Sequence, residues 1–226
     1  MKFLILFFTV LMAVGCSKNA SLMGETLSTA FFPDSASSIS YQMVESVPYA
    51  SLKAELDNHY QMLLVLGEAE KNHKQDSADF LKWVSSDNET LITANGRIVK
   101  TVALGQGNLL SIASEQKDPL SFTPFEPKLI SAQKWQYLLS WQPGNYIDIP
   151  AVSTFQYKAK ETIKPGNTSI LTHHIVENVS IPSLKLSYDN HYWFLDNGEL
   201  IKSKQYLYPG SLPITLTVGR PYSGVQ

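Results

Sequence analysis

The segment TLITANGRIVKTVAL, residues 90–104, constrains the fold more than any other part of the chain. Two runs rich in β-branched and apolar residues flank Asn95-Gly96, a dipeptide that accepts positive φ at both central positions of a two-residue hairpin turn. The same recipe recurs in YWFLDNGELIKSKQYL, around Asn197-Gly198. A two-residue loop there sets Asp196 opposite Glu199, a like-charge pair that costs stability. A three-residue loop ending on Gly198 avoids the clash and is the predicted form. Pro143-Gly144, Pro165-Gly166 and Pro209-Gly210 mark further turns. In SLKAEL, Leu52, Ala54 and Leu56 alternate with polar neighbours, the period of a half-buried strand, and QMLLVLGEA reads as a buried one. SIPSLKLSYDNHYWF and LPITLTV add more alternation, DNHY (57–60) a turn, and EKNHKQDSAD (70–79) an exposed loop. Short strands with frequent turns predict an all-β fold, an antiparallel barrel-like or sandwich domain with short N-terminal helical segments. The two Asn-Gly hairpins hint at two related sub-sheets. LGQGN carries only G-x-G and reads as another hairpin turn, not as a dinucleotide site.

The start of the chain follows a different logic. Lys2 gives a positive n-region, Phe3 to Val14 an apolar stretch too short to span a bilayer, and Cys16 is the single cysteine. AVGC resembles the lipobox of bacterial lipoproteins, in which cleavage frees the amine of a lipid-modified cysteine. An ordinary cleaved signal and an uncleaved anchor are the competing readings. One acyl chain holds a protein only marginally, whereas three make a stable anchor. Ser17 follows the cysteine where Asp favours inner-membrane retention in such lipoproteins, so the outer membrane is expected. The predicted organisation is a signal peptide over 1–15, a lipid-anchored tether over 16–40 and one β-rich periplasmic domain over 41–226. Leu22, Met23, Thr26, Leu27, Ala30 and Phe31 recur at helical spacing in the tether, and SYQMVESV supplies a second helical turn before Pro48.

Net charge is −2, and the only arginines, Arg97 and Arg220, lie among scattered lysines, so no nucleic-acid stripe exists. His173 and His174 are adjacent and on a strand point to opposite faces, which prevents joint chelation. His59, His73 and His191 fall beside turn or loop residues. No metal site or cofactor is therefore expected. There is no G-x-S-x-G elbow. Glycan cleavage needs two facing carboxyls, and although Asp118, Asp148, Asp189 and Glu177 exist, nothing selects a pair. No catalytic residue is assigned. In KWQYLLSW, Trp135, Tyr137, Leu139 and Trp141 share one strand face, with Tyr146 just beyond the Pro143-Gly144 turn. Sugar rings stack on such platforms, but an apolar strand face is first of all core. Trp141 and Tyr146, at the strand end, are the candidate ligand contacts.

Four blocks, VPYASL (47–52), WVSSDNETLITANGRIVKT (83–101), GNLLSIASEQKDPL (107–120) and YWFLDNGELIKSKQYLYPGSLPI (192–214), resemble the YjbF/GfcB family. These are lipoproteins encoded with exopolysaccharide and group 4 capsule export genes in Gram-negative bacteria. The resemblance implies a lipid-anchored, barrel-like β protein, carries over the anchor cysteine onto Cys16, and brings no catalytic residue. The expected function is a non-enzymatic accessory of polysaccharide assembly or export, touching the membrane through Cys16 and either the polymer or export proteins. A periplasmic glycosidase or lyase is the alternative.

Overall fold

The alternation in SLKAEL becomes strand β1 (Ser51–Leu56), whose Leu52, Ala54 and Leu56 turn into the core. Ser51 is buried as well, because its hydroxyl donates to the Val44 carbonyl (2.8 Å) and ties β1 to the helix before it. The computed structural model describes residues 38–56, 60–71, 79–121 and 125–224. Cys16, the signal segment, the predicted helix over 21–32, His59, His73, most of the DNHY turn and most of the EKNHKQDSAD loop lie outside them. The described chain belongs to one compact unit, Ser38–Gln226.

The predicted helical turn forms as α1 (Tyr41–Ser46). Ser40 caps it, accepting from the Met43 amide, and the Tyr41 hydroxyl donates to the Val218 carbonyl (3.0 Å). The other helix among the described residues, α2 (Pro127–Ser131), is equally short. All else of regular structure in the described residues is strand apart from two 3-10 turns, Pro119–Ser121 and Pro182–Leu184. After β1 come β2 (Tyr60–Glu70), β3 (Phe80–Val84), β4 (Thr90–Ala94), β5 (Arg97–Val102) and β6 (Leu109–Ala113). Then follow β7 (Lys134–Trp141), β8 (Tyr146–Ile163), β9 (Ile170–Ile181), β10 (Leu186–Phe194), β11 (Leu200–Gln205) and β12 (Ile214–Arg220).

These form a single 12-stranded antiparallel sheet in the order β5-β4-β3-β2-β1-β12-β11-β10-β9-β8-β7-β6. The pairing of β1 with β12 joins the first and last strands. The sheet curls into a nearly closed barrel filled by Leu64, Leu91, Ile175, Val179, Tyr192 and Phe194, all fully buried. The two Asn-Gly hairpins therefore do not head separate sub-sheets. They belong to one sheet, and their tips meet across it, with Leu200 lying over Gly96.

Both turns take the expected backbone. Asn95 and Gly96 have φ of 46° and 83° between the paired Ala94 and Arg97. At the second tip the Leu195 amide donates to the Glu199 carbonyl (2.8 Å) and the Gly198 amide to the Leu195 carbonyl (3.0 Å), the predicted three-residue loop. LGQGN differs from expectation. It turns, with the Gly107 amide donating to Leu104, but it joins β5 and β6, the two ends of the sheet, which share no strand ladder. Side chains bridge them instead: Thr101 Oγ1 accepts from the Leu109 amide (3.0 Å), and Asn108 Oδ1 accepts from the Leu104 amide (3.1 Å). An edge strand must satisfy or shield its exposed polar groups, and here side chains of the flanking turn do so.

Candidate functional site

The four carboxylates singled out in the sequence have separate fates. Glu177 projects from β9 into the barrel and is fully buried. Its oxygens accept from Arg97 Nη1 (2.8 and 2.7 Å), Ser153 Oγ (2.5 Å), Tyr192 Oη (2.9 Å) and Asn190 Nδ2 (3.2 Å). Arg97 turns its Nε to Asp118 (2.5 Å) and stacks over the Trp135 ring at 4.6 Å. Gln205, from β11, accepts from the Ile98 amide (3.0 Å) and donates to the Gly96 carbonyl (2.8 Å), so the polar centre also grips β5. Burial alone would raise the Glu177 pKa, but the Arg97 charge and the donated hydrogen bonds outweigh it and hold the carboxyl below its ordinary range. A carboxyl so held cannot serve as a general acid near neutral pH. Ser140 Oγ accepts from the Asp148 backbone amide (2.9 Å) and lies 3.4 Å from the Asp148 carboxylate, and Asp189 accepts from the Asn178 side-chain amide (2.8 Å). Asp118 and Glu177 are brought together, but by a guanidinium wedged between them.

The aromatic strand is core. Trp135, Tyr137, Leu139 and Trp141 are each 5 % exposed or less. Trp141, the candidate contact at the strand end, is buried with the rest. The chain folds Tyr146 back over one side of it (ring centroids 4.5 Å, interplanar angle 12°), and Tyr208 lies parallel at 6.1 Å. Tyr146, 39 % exposed, keeps a face toward solvent.

The structure assembles an open surface that sequence reading missed. On β10 the residues Asp189, His191 and Trp193 alternate with the buried Asn190, Tyr192 and Phe194, so they line the outer face. Register sets His191 against Lys204 and Trp193 against Lys202 on β11, and Trp193 against His174 on β9. His191 therefore sits in mid-strand and not beside a loop. The Trp193 ring stacks on His174 (4.7 Å, 9°) and lies 5.9 Å from His191, with Lys202 Nζ 5.3 Å from its centroid. His173 turns the other way, to Tyr157 and Asp196, as alternation requires.

The two histidines of this face are paired. His174 Nδ1 lies 3.2 Å from Glu161, which also accepts from Trp193 Nε1 (2.9 Å). His174 Nε2 and His191 Nδ1 lie 3.0 Å apart, a contact in which one ring nitrogen donates and the other accepts. Burial, chiefly, lowers both imidazole pKa values, with Lys158 and mutual repulsion adding to it for His174 and Lys204 and Lys158 for His191; Glu161 opposes the shift at both and Asp189 at His191. Both shifts favour the neutral ring. Among the described residues no group of three or more His, Cys, Asp or Glu side chains is placed to hold a metal ion.

Beside this strip, an open cleft of about 610 Å³ runs along the end of β10 and the Pro209-Gly210 turn. Leu186, Tyr188, Asp189, His191, Lys204 and Tyr206 line it, and the two tyrosine rings sit 5.8 Å apart at 53°. Register would have exposed this surface to sequence reading. A turn at IPSLK pairs positions 181 with 186 and hence 174 with 193.

Comparison with known proteins agrees with the fold. The family described as "Group 4 capsule polysaccharide lipoprotein gfcB, YjbF" matches residues 24–218. The uncharacterized lipoprotein GfcB of Escherichia coli (strain K12) is 27 % identical over 98 % of this chain and 99 % of its own. The uncharacterized lipoprotein YjbF of the same organism is 27 % identical over 92 % of each. The crystal structure of the hypothetical lipoprotein YmcC from E. coli (K12) superposes with a TM-score of 0.71 at 24 % identity, covering 91 % of this chain and 97 % of that one.

Proposed function

From the premise that the chain belongs to the YjbF family of group 4 capsule polysaccharide lipoproteins, we propose that it is a non-enzymatic accessory of exopolysaccharide or capsule assembly and export. It is held at the outer membrane by lipid on Cys16, with the β-domain in the periplasm, and acts by holding polymer or an export protein. The observation that carries this reading is the fate of the carboxyls. Both glycosidase mechanisms need a pair facing each other across a substrate, one of them a proton donor. Glu177 is buried and held ionised on Arg97, which also takes up Asp118, while the Asp148 and Asp189 carboxylates each meet one neighbouring side chain, Ser140 and Asn178.

Two measurements test the proposal. Purified protein incubated with the polysaccharide of its own producing strain should release no reducing or unsaturated ends; sustained release would establish the enzyme alternative. Cys16→Ala should abolish acyl labelling and leave precursor unprocessed, and should fail to restore export in a strain lacking the gene. Normal processing and unchanged detergent partitioning of that variant would remove the anchor.

A further inference from the structure

We infer that the cleft at the end of β10 and β11, with the strip leading from it to Trp193, binds an acidic oligosaccharide whose sugars carry carboxylates. The inference rests on the polysaccharide-accessory reading and gives it a place on the molecule. A sugar presents a C–H face that lies on apolar or aromatic surface and a rim of hydroxyls that needs donors and acceptors. The cleft offers both. Tyr206 meets the rim of Tyr188, which otherwise turns inward from β10 and packs against the core, at 53°; Leu186 (47 % exposed) extends this apolar edge, and Asp189 and His191 stand on the wall. Its volume of about 610 Å³ falls within the ~300–1,000 Å³ of small-ligand sites.

Charge selects the class of sugar. Lys204 lines the cleft, and Lys202 is the next outward residue of the same strand, roughly 7 Å away along it. Lys158 lies close enough to depress both histidines. Against these three lysines stand two carboxylates, Asp189 and Glu161, whose hydrogen bonds come from the neutral donors Asn178 and Trp193, so one positive charge is left over for a ligand. Cross-strand register thus lays a column of lysines beside a column of flat rings. A neutral glycan would use the rings alone, whereas a carboxylated one uses both columns. The strip continues the cleft through His191, which belongs to each, so a chain of several sugars can follow one path from Tyr206 to Trp193.

The test uses full-length protein in detergent micelles, titrated with hexameric oligogalacturonate and, separately, with neutral maltohexaose. Tryptophan emission reports the strip, because Trp83, Trp135 and Trp141 are buried and Trp193 is not. Oligogalacturonate should change the emission saturably and bind at least about tenfold more tightly than maltohexaose, with affinity falling as salt is added. Lys204→Glu, an exposed change, should weaken oligogalacturonate binding about tenfold or more with an unaltered melting curve. Tyr206→Ala should do likewise, and Trp193→Phe should abolish the signal while calorimetry still detects binding. Equal affinity for the two sugars, no saturable response to oligogalacturonate, or unchanged binding by Lys204→Glu would each overturn the inference. A chain that ignores oligogalacturonate, releases no sugar ends and still supports export when anchored would lose this cleft assignment and keep the accessory role.

Discussion

Glu177→Ala strikes at the polar centre of the fold. The side chain is fully buried and takes hydrogen bonds from Arg97, Ser153, Tyr192 and Asn190, so its removal strands several donors at once. Of its two carboxylate partners Arg97 keeps Asp118, which lies nearer the surface, with side-chain exposure of 19 % against 3 % for Arg97, and beyond that a long hydrogen bond to Tyr192 Oη (3.3 Å). Breaking a buried ion pair from one side costs about 3–5 kcal/mol. For a domain of this size that corresponds to a fall in melting temperature of roughly 6–20 °C. Urea and thermal unfolding of the full-length protein in micelles, followed by near-ultraviolet circular dichroism, would measure it. The cause can be separated from simple loss of packing by a cycle with Arg97→Leu, alone and combined with Glu177→Leu. If stranded charge is the cost, the double variant should be less destabilised than the sum of the singles by about 2 kcal/mol. The pH dependence has a fixed sign. The folded pKa of Glu177 is depressed, so its contribution is present above the unfolded carboxylate value and is lost as pH falls through the folded value. Stability should hold from neutral pH to the ordinary carboxylate range and decline only in more acid solution, and the Glu177→Ala protein should show a shallower decline. A Glu177→Ala protein within about 1 kcal/mol of the parent, or an additive cycle, would refute the reasoning.

Two further outcomes follow from the turn and the aromatic strand. Gly96→Val should destabilise by about 1–3 kcal/mol, because a β-branched residue resists a φ of +83° and its Cβ would stand 2.5 Å from Leu200 Cδ2, forcing that side chain aside; an unchanged urea midpoint would contradict it. Trp141→Ala should cost about 3–5 kcal/mol by emptying the space between Tyr146 and Tyr208, and a stable variant with altered glycan binding would revive Trp141 as a ligand contact.

Strand period and turn chemistry were legible because each is set by a few adjacent residues. Asn95-Gly96 dictates its own φ angles, and the Asp196–Glu199 repulsion was enough to choose a three-residue loop at Gly198. What those signals lack is long-range register. LGQGN has the composition of a hairpin turn, yet it ends up linking the two edges of the sheet, because closure depends on the curl of twelve strands and not on the turn. Trp141 shows the same limit. Its position at a strand end argued for exposure, but Tyr208 reaches it from 67 residues further along the chain.

Arg97 carries the widest consequence. In the sequence it is one of two arginines, just after a hairpin turn, where a charged residue normally faces water. Inside the barrel it joins β5 to Glu177 on β9 and to the Asp118 turn, while Gln205 holds the adjoining backbone. β5 is an end strand of the sheet, with a ladder partner on one side only. The buried charges therefore do for β5 what a second neighbouring strand would do, fixing it from within. Among the described residues the outer face of β9 to β11 carries no fully buried ion pair of this kind, so a ligand bound there as inferred above would meet its rings and lysines without disturbing the polar centre.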